Sequence, residues 1–217
     1  MEIESASGIP GSRAAQACEQ AGVGSRWRGQ RGRMEDMLGQ KRFIHSLAVA
    51  DTSVAMGEIF GGDPVRLALA GLLHDGAKGL GDERLLAFGA SHGLISDPAE
   101  RENPSLLHGP VAARMASDTW GVDDPVILEA IRYHTTGAEK MCREACIVFM
   151  ADLIEPGRSY QGVDILRRLC GEDLRLAMIE AIEQTYVYLA REQKPLHNGT
   201  SRCLAWLRTT MKAGDAD

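Results

Sequence analysis

The stretch Leu69-Ala-Gly-Leu-Leu-His74-Asp75-Gly-Ala-Lys78 sets a histidine and an aspartate side by side at the end of an apolar helical run, with a lysine shortly after. Burying such a pair costs free energy unless a cation or hydrogen bonds compensate the carboxylate. An imidazole nitrogen beside a carboxylate oxygen is a common donor set for first-row divalent metals. A helix continued through Lys78 would bring its ammonium to the face that carries His74 and Asp75. A metal with fixed positive charge beside it suits a phosphate ester or anhydride. The dipeptide alone fits a capped core helix equally well, so its company along the chain decides.

That company is dense. Of the six histidines, His45, His74, His108 and His134 fall at the starts or ends of apolar helical stretches, and Asp152 interrupts Ile147-Val-Phe-Met-Ala-Asp-Leu-Ile154. A carboxylate in such a run has to be neutralised by a proton, a partner or a metal. A single residue of this kind is normally a satisfied core residue. Several imidazoles together with Asp75 and Asp152 in one small helical chain point instead to a shared site.

The elements that must position these residues read as helices almost throughout. Arg42 to Phe60 shows a 3.6-residue stripe through Leu47, Ala50, Val54 and Ile59. Gly61-Gly62-Asp63-Pro64 stops that helix and starts the one that ends in His74-Asp75. Further helices are expected near 82–92, 105–120, from Pro125 to His134, and over 144–154, 162–170, 174–191 and 200–211. No alternating strand, internal repeat or interdomain linker is visible, so the expected fold is all-α with a single domain over residues 34–217. Residues 1–33 are rich in Gly, Ser and Arg and weak in apolar periodicity, and they read as a disordered basic extension that hydrolytic chemistry does not need. Met34 opens the domain-like sequence and is a candidate alternative start.

Whole-chain composition narrows the function. The 217 residues, 44% of them hydrophobic, are enough for one sizeable core. A net charge of −6 argues against a general nucleic-acid binder while leaving room for a small anionic substrate held by a few local cations. The 5 cysteines form no disulfide framework or paired metal motif, and Cys142 with Cys146 reads as core packing. No apolar run reaches membrane-spanning length and the N-terminus lacks a signal-peptide core, so a cytoplasmic protein is expected.

The order His45 … His74-Asp75 … Asp152 resembles the signature of the HD-domain metal-dependent phosphohydrolase superfamily. Five blocks carry the likeness further: Lys41-Arg-Phe-Ile-His45-Ser-Leu, Leu72-Leu-His-Asp-Gly-Ala-Lys78, Leu107-His-Gly-Pro110, Ile131-Arg-Tyr-His-Thr-Thr-Gly137 and Ala151-Asp-Leu-Ile-Glu-Pro-Gly-Arg158. Together, from about residue 36 onward, they resemble the YqeK-like symmetrical bis(5'-nucleosyl)-tetraphosphatases. The resemblance implies an HD-type helical domain that cleaves diadenosine tetraphosphate and related dinucleotides at the central anhydride. It implies that His45, His74, Asp75 and Asp152 hold a divalent metal, iron first, with manganese, cobalt or magnesium as alternatives and one or two ions. Arg42, His108, His134 and Arg158 would then face the phosphates, and a homodimer is the family-based expectation. A C-terminal His-Pro-x-Thr element approaches the nucleotide in that family; here Leu196-His197-Asn198-Gly199-Thr200 keeps His197 and Thr200 but not the proline. In catalysis, Asp75 can orient water and Lys78 can supply fixed charge. His108 and His134 can bind phosphate, protonate the leaving group or complete a second metal site, and the sequence does not choose among these. Two other readings compete: an HD phosphohydrolase for a different nucleotide, and a nucleotide-binding module without catalysis.

Overall fold

The computed structural model describes residues 12–214, and among them there is no strand. The helices in chain order are α1 (Arg13–Gln20), α2 (Gly24–Met37), α3 (Gln40–Phe60), α4 (Pro64–Leu73), α5 (Asp82–Ser91), α6 (Ala99–Glu102), α7 (His108–Thr119), α8 (Pro125–Tyr133), α9 (Arg143–Ile154), α10 (Val163–Leu169), α11 (Leu174–Arg191) and α12 (Asn198–Gly214). Short 3-10 turns at Lys78–Leu80 and Pro104–Leu107 join them. The stop-and-start residues act through their side chains: Asp63 Oδ1 accepts from the Val65 and Arg66 amides at 2.9 Å, with Pro64 in the first turn of α4. Asp124 and Asp173 cap α8 and α11 in the same way.

At the centre lies α4, buried throughout from Leu67 to Leu73 and packed by α1, α3, α8 and α9. Gly71 makes the crossing with α3 close, since a Cβ there would lie 2.7 Å from Ala50 Cα. The α7–α8 crossing is close at Gly109, where a Cβ would sit 2.8 Å from the Arg132 carbonyl oxygen. That second approach sets His108, at the start of α7, beside His134, at the end of α8. The helices around α4 therefore deliver His45, His74-Asp75, His134 and Asp152 to one end of the bundle core.

Two expectations are corrected. The segment 12–33, read as disordered, is helical and packed; residues 1–11 of that proposed extension lie outside the described residues. Ser12 Oγ caps α1 by accepting from the Ala15 amide, and α1 buries Ala14 and Cys18 against α3 and α4. The second helix buries Trp27, Gln30 and Met34, a stripe too narrow to stand out among arginines and glycines, so the boundary expected at Met34 falls inside α2. The other correction concerns Lys78. Helix α4 ends at Leu73, and three-residue hydrogen bonds (Gly76 N to Leu73 O, 3.0 Å; Lys78 N to Asp75 O, 2.9 Å) turn the chain away from the helical register.

Candidate active site

Three of the four site histidines are oriented by the same device, a backbone carbonyl three residues earlier. His74 Nδ1 donates to the Gly71 carbonyl at 2.7 Å, His134 Nδ1 to Ile131 at 2.8 Å, and His108 Nδ1 to Ser105. His45 Nδ1 instead meets the buried carboxylate of Glu155 at 3.1 Å. With each Nδ1 hydrogen engaged, the Nε2 atoms are turned toward one another. The ring centroids step from His45 to His74 (5.3 Å), His74 to His134 (4.7 Å) and His134 to His108 (4.8 Å).

Two carboxylates thread this row. Asp152 Oδ1 lies 3.0 Å from His45 Nε2 and 3.9 Å from His74 Nε2. Asp75 Oδ2 lies 3.7 Å from His74 Nε2 and 4.0 Å from His45 Nε2, while its Oδ1 lies 3.2 Å from His108 Nε2 and 3.8 Å from His134 Nε2. Two overlapping donor groups result, His45–His74–Asp152 and His74–Asp75–His134, each with ligand atoms within 4.8 Å of one another. The expected ligands His45, His74, Asp75 and Asp152 are thus together, with His134 close enough to join them.

The local electrostatics suit a cation. Burial pushes both aspartates toward the neutral acid, but His74 and His108 around Asp75, and His45 with His74 and Arg158 around Asp152, more than reverse this and hold both carboxyls well below the usual carboxylate range. Burial drives His74 down, and drives His134 down to about 3, so both rings are neutral with a lone pair on Nε2. For His45 burial also pulls downward, yet hydrogen bonds to Asp152 and Glu155 lift it to about 9. His74 Nε2 is wholly buried and has no hydrogen-bond partner. An orphaned imidazole lone pair between two ionised carboxylates is what a divalent cation fits, and the residues present pass that test.

Cations rim the cluster. Arg42 is ion-paired with Asp75, Arg158 with Asp152, and Arg158 Nε also donates to the Asp152 carbonyl at 2.7 Å. Lys78 reaches the site despite leaving the helix, its Nζ lying 3.1 Å and 3.4 Å from the two ring nitrogens of His108.

His197 and Thr200 stand apart. His197 Nε2 pairs with the buried Glu100 at 3.4 Å, and Thr200 Oγ1 donates to the Thr136 carbonyl at 2.8 Å. Neither makes a polar contact with the His/Asp cluster among the described residues. Thr200 fastens the start of α12 to the loop after His134, and His197, just before that helix, ties it to α6. Burial pushes the Glu100 carboxyl up, but His197 and the Ser96 and Asp97 amides bring it below its ordinary 4.5. A lowered folded value means that this contribution to stability is complete above pH 4.5 and fades as pH falls through the lowered value. Thermal unfolding from about pH 5 to pH 3 should therefore show a shallower acid decline for Glu100→Gln than for the parent; parallel declines would refute the latch.

Glu155 is the site residue to which the sequence assigned no role. It fixes His45, and its only sequence signal is an acid just past the end of a largely apolar helix. Thr135 Oγ1 lies 2.9 Å from His134 Nε2 and 3.1 Å from His108 Nε2, bridging the two rings.

The fold and site define a helical protein that gathers imidazoles and ionised carboxylates in a buried, cation-ready cluster. The chain belongs to the HD domain family, whose model matches residues 42–157. It is 34% identical over 174 residues to the symmetrical bis(5'-nucleosyl)-tetraphosphatase of Bacillus subtilis, covering 80% of this chain and 93% of that one. Its identity to the Staphylococcus aureus protein of the same description is 35% over 176 residues, covering 78% and 88%. A solved structure from Clostridium acetobutylicum, described as a predicted HD superfamily hydrolase involved in NAD metabolism, superposes with a TM-score of 0.81 at 34% identity, over 83% of this chain and 96% of that one.

Proposed function

We propose that this protein is a metal-dependent phosphoanhydride hydrolase that cleaves diadenosine tetraphosphate, and related dinucleoside tetraphosphates, symmetrically to nucleoside diphosphates. The observation that carries the reading is the orphaned His74 Nε2 between two ionised carboxylates, with Arg42, Arg158 and Lys78 at the rim. The symmetrical tetraphosphatases among its relatives supply the substrate class.

His45, His74, Asp75 and Asp152 hold the ion in this reading, and mixed imidazole and carboxylate donors suit iron. When bound, a divalent ion supplies an acidified water and charge on the phosphate oxygens. The chain's own groups do the rest. Glu155 fixes the His45 tautomer through Nδ1, as carboxylate partners of ligand imidazoles commonly do. Once Asp75 and Asp152 are neutralised from inside the cluster, Arg42 and Arg158 are free to turn their guanidiniums to phosphate oxygens. Asp75, ionised, accepts a hydrogen from the attacking water and holds it in line.

Proton delivery falls to His108. Its Nδ1 hydrogen is committed to Ser105, and its Nε2 lies 2.8 Å from His134 Nε2, which is a lone pair because the His134 hydrogen is committed to Ile131. His108 Nε2 also lies 3.2 Å from Asp75 Oδ1, so the ring stands between the water-orienting carboxylate and His134 as the group placed to serve the departing diphosphate. Lys78 lies against that ring and meets the negative charge that builds there. Lys78→Ala should retain metal while kcat falls about a hundredfold, the scale seen when one transition-state donor is removed. Loss of metal from that variant would move Lys78 into the ligand scaffold.

The test of the whole reading is product chromatography from diadenosine tetraphosphate, coupled to elemental analysis of the purified protein. ADP as sole product with bound iron or another divalent ion supports it. Bound metal without turnover redirects the same site to a different nucleotide.

A further inference from the structure

We propose that Gln30 on α2 is a positioning residue for Asp75, acting through Trp120; the inference rests on Asp75 being a metal ligand as read above. Three side chains at successive turns of α2 reach across to the end of α7. Arg33 Nη1 donates to the Thr119 carbonyl at 3.1 Å, Gln30 Nε2 to Trp120 at 2.6 Å, and Arg26 Nη2 to Gly121 at 3.5 Å. These are consecutive carbonyls at a helix C-terminus, where the backbone has acceptors without intrahelical donors. Only Gln30 of the three is buried. Its Oε1 has no hydrogen-bond partner, so the side chain is held by the single bond to Trp120.

That bond holds the Trp120 backbone from which the indole projects. Trp120 is 5% exposed and its ring lies against Gly76, the residue that follows Asp75. A Cβ at residue 76 would be 2.9 Å from Trp120 Cζ3, nearer still to Cη2, and 3.1 Å from the Leu73 carbonyl oxygen. The ring is thus a floor under the turn that carries His74 and Asp75 off the end of α4. That turn is held by three-residue hydrogen bonds rather than by helical ones, so its shape depends on what packs beneath it. Asp75 is the carboxylate that reaches both ends of the imidazole row, His45 at 4.0 Å and His108 at 3.2 Å. A tilt of the indole therefore reaches the ligand set through a single glycine.

The test uses full-length protein and reads metal affinity as well as rate. Gln30→Leu keeps the side-chain size and removes the donor. Its dissociation constant for the divalent ion, measured on demetallated and refilled protein, should rise about tenfold, the lower end for partners that orient ligands. Its kcat for diadenosine tetraphosphate should fall in step while KM stays put. Gly76→Ala should show the same split more strongly, and Trp120→Phe added to it, by removing the clashing ring edge, should restore much of the metal affinity. The rescue keeps the test decisive if Gly76→Ala alone folds poorly. A Gln30→Leu protein with a lower melting temperature but parental metal affinity and kcat overturns the positioning role. Asp75→Asn run alongside separates the two readings: if it too keeps metal and rate, the ligand assignment has failed rather than the role of Gln30.

Discussion

Asp75→Asn is expected to strip the protein of its metal and lower turnover of diadenosine tetraphosphate by more than about a hundredfold, since loss of even a ligand-orienting partner commonly costs 10–100-fold. Asparagine keeps the size and one carbonyl oxygen, so the change isolates charge. In the structure one oxygen of Asp75 faces His74 and Arg42 while the other faces His108 and His134. Without its negative charge, the buried row of imidazoles has only Asp152 to balance a divalent ion, and Arg42 adds an unpaired positive charge at the rim. Elemental analysis and product chromatography on the same preparation check the result. Retention of both metal and full rate would falsify the proposed ligand set. His74→Ala should give the same paired loss, because it removes the buried imidazole lone pair that lacks a partner.

The components of this site were legible in one dimension because a charge inside an apolar run is conspicuous wherever its partner lies. His45, His74, Asp75, His108, His134 and Asp152 are all of that kind, and the structure brings them together. Its supports were not legible for a complementary reason. Glu155 meets His45 across a sequence separation of 110, and Glu100 meets His197 across 97, so neither pairing leaves a local pattern. Lys78 shows the opposite failure: the helical offset suggested contact with His74, but Gly76 lies where the helix has already given way to a turn, and the lysine arrives at His108 instead.

Removal of residues 1–33 is expected to destabilise the protein severely, contrary to what their composition suggests. The cut takes away α1 and most of α2, uncovering the faces of α3 and α4 that Ala14, Cys18 and Trp27 occupy. Trp27 alone is 3% exposed, and Trp27→Ala should cost about 3–5 kcal/mol, as large-to-small changes of buried aromatics do. Urea denaturation of the point variant, with far-ultraviolet circular dichroism as the signal, checks this; an unchanged midpoint would mean that α2 only rests on the bundle. The helix escaped the sequence reading because most of what it contributes is polar. Arginines that look like a solvated tail carry hydrogen bonds to Thr119 and Gly121, and such partners 86 and 95 residues away cannot be seen as periodicity.

The local tethering of the histidine rings bears on which changes in chain length the protein can absorb. His74, His108 and His134 each hold a carbonyl three residues earlier in the same stretch of backbone, so a ring's aim belongs to its own turn and not to the path the chain takes to get there. Extra residues in the connections at 61–62, 121–123 or 159–162 leave that aim untouched. One residue inserted between a ring and its tether rotates the imidazole by about 100° around the helix axis and breaks the bond together with the site. Length variation is therefore forbidden within four short windows, three ending on a histidine and the fourth enclosing the Asp75 turn, and a fifth constraint falls on the connection from Glu155 to Arg158, which holds His45 and Asp152.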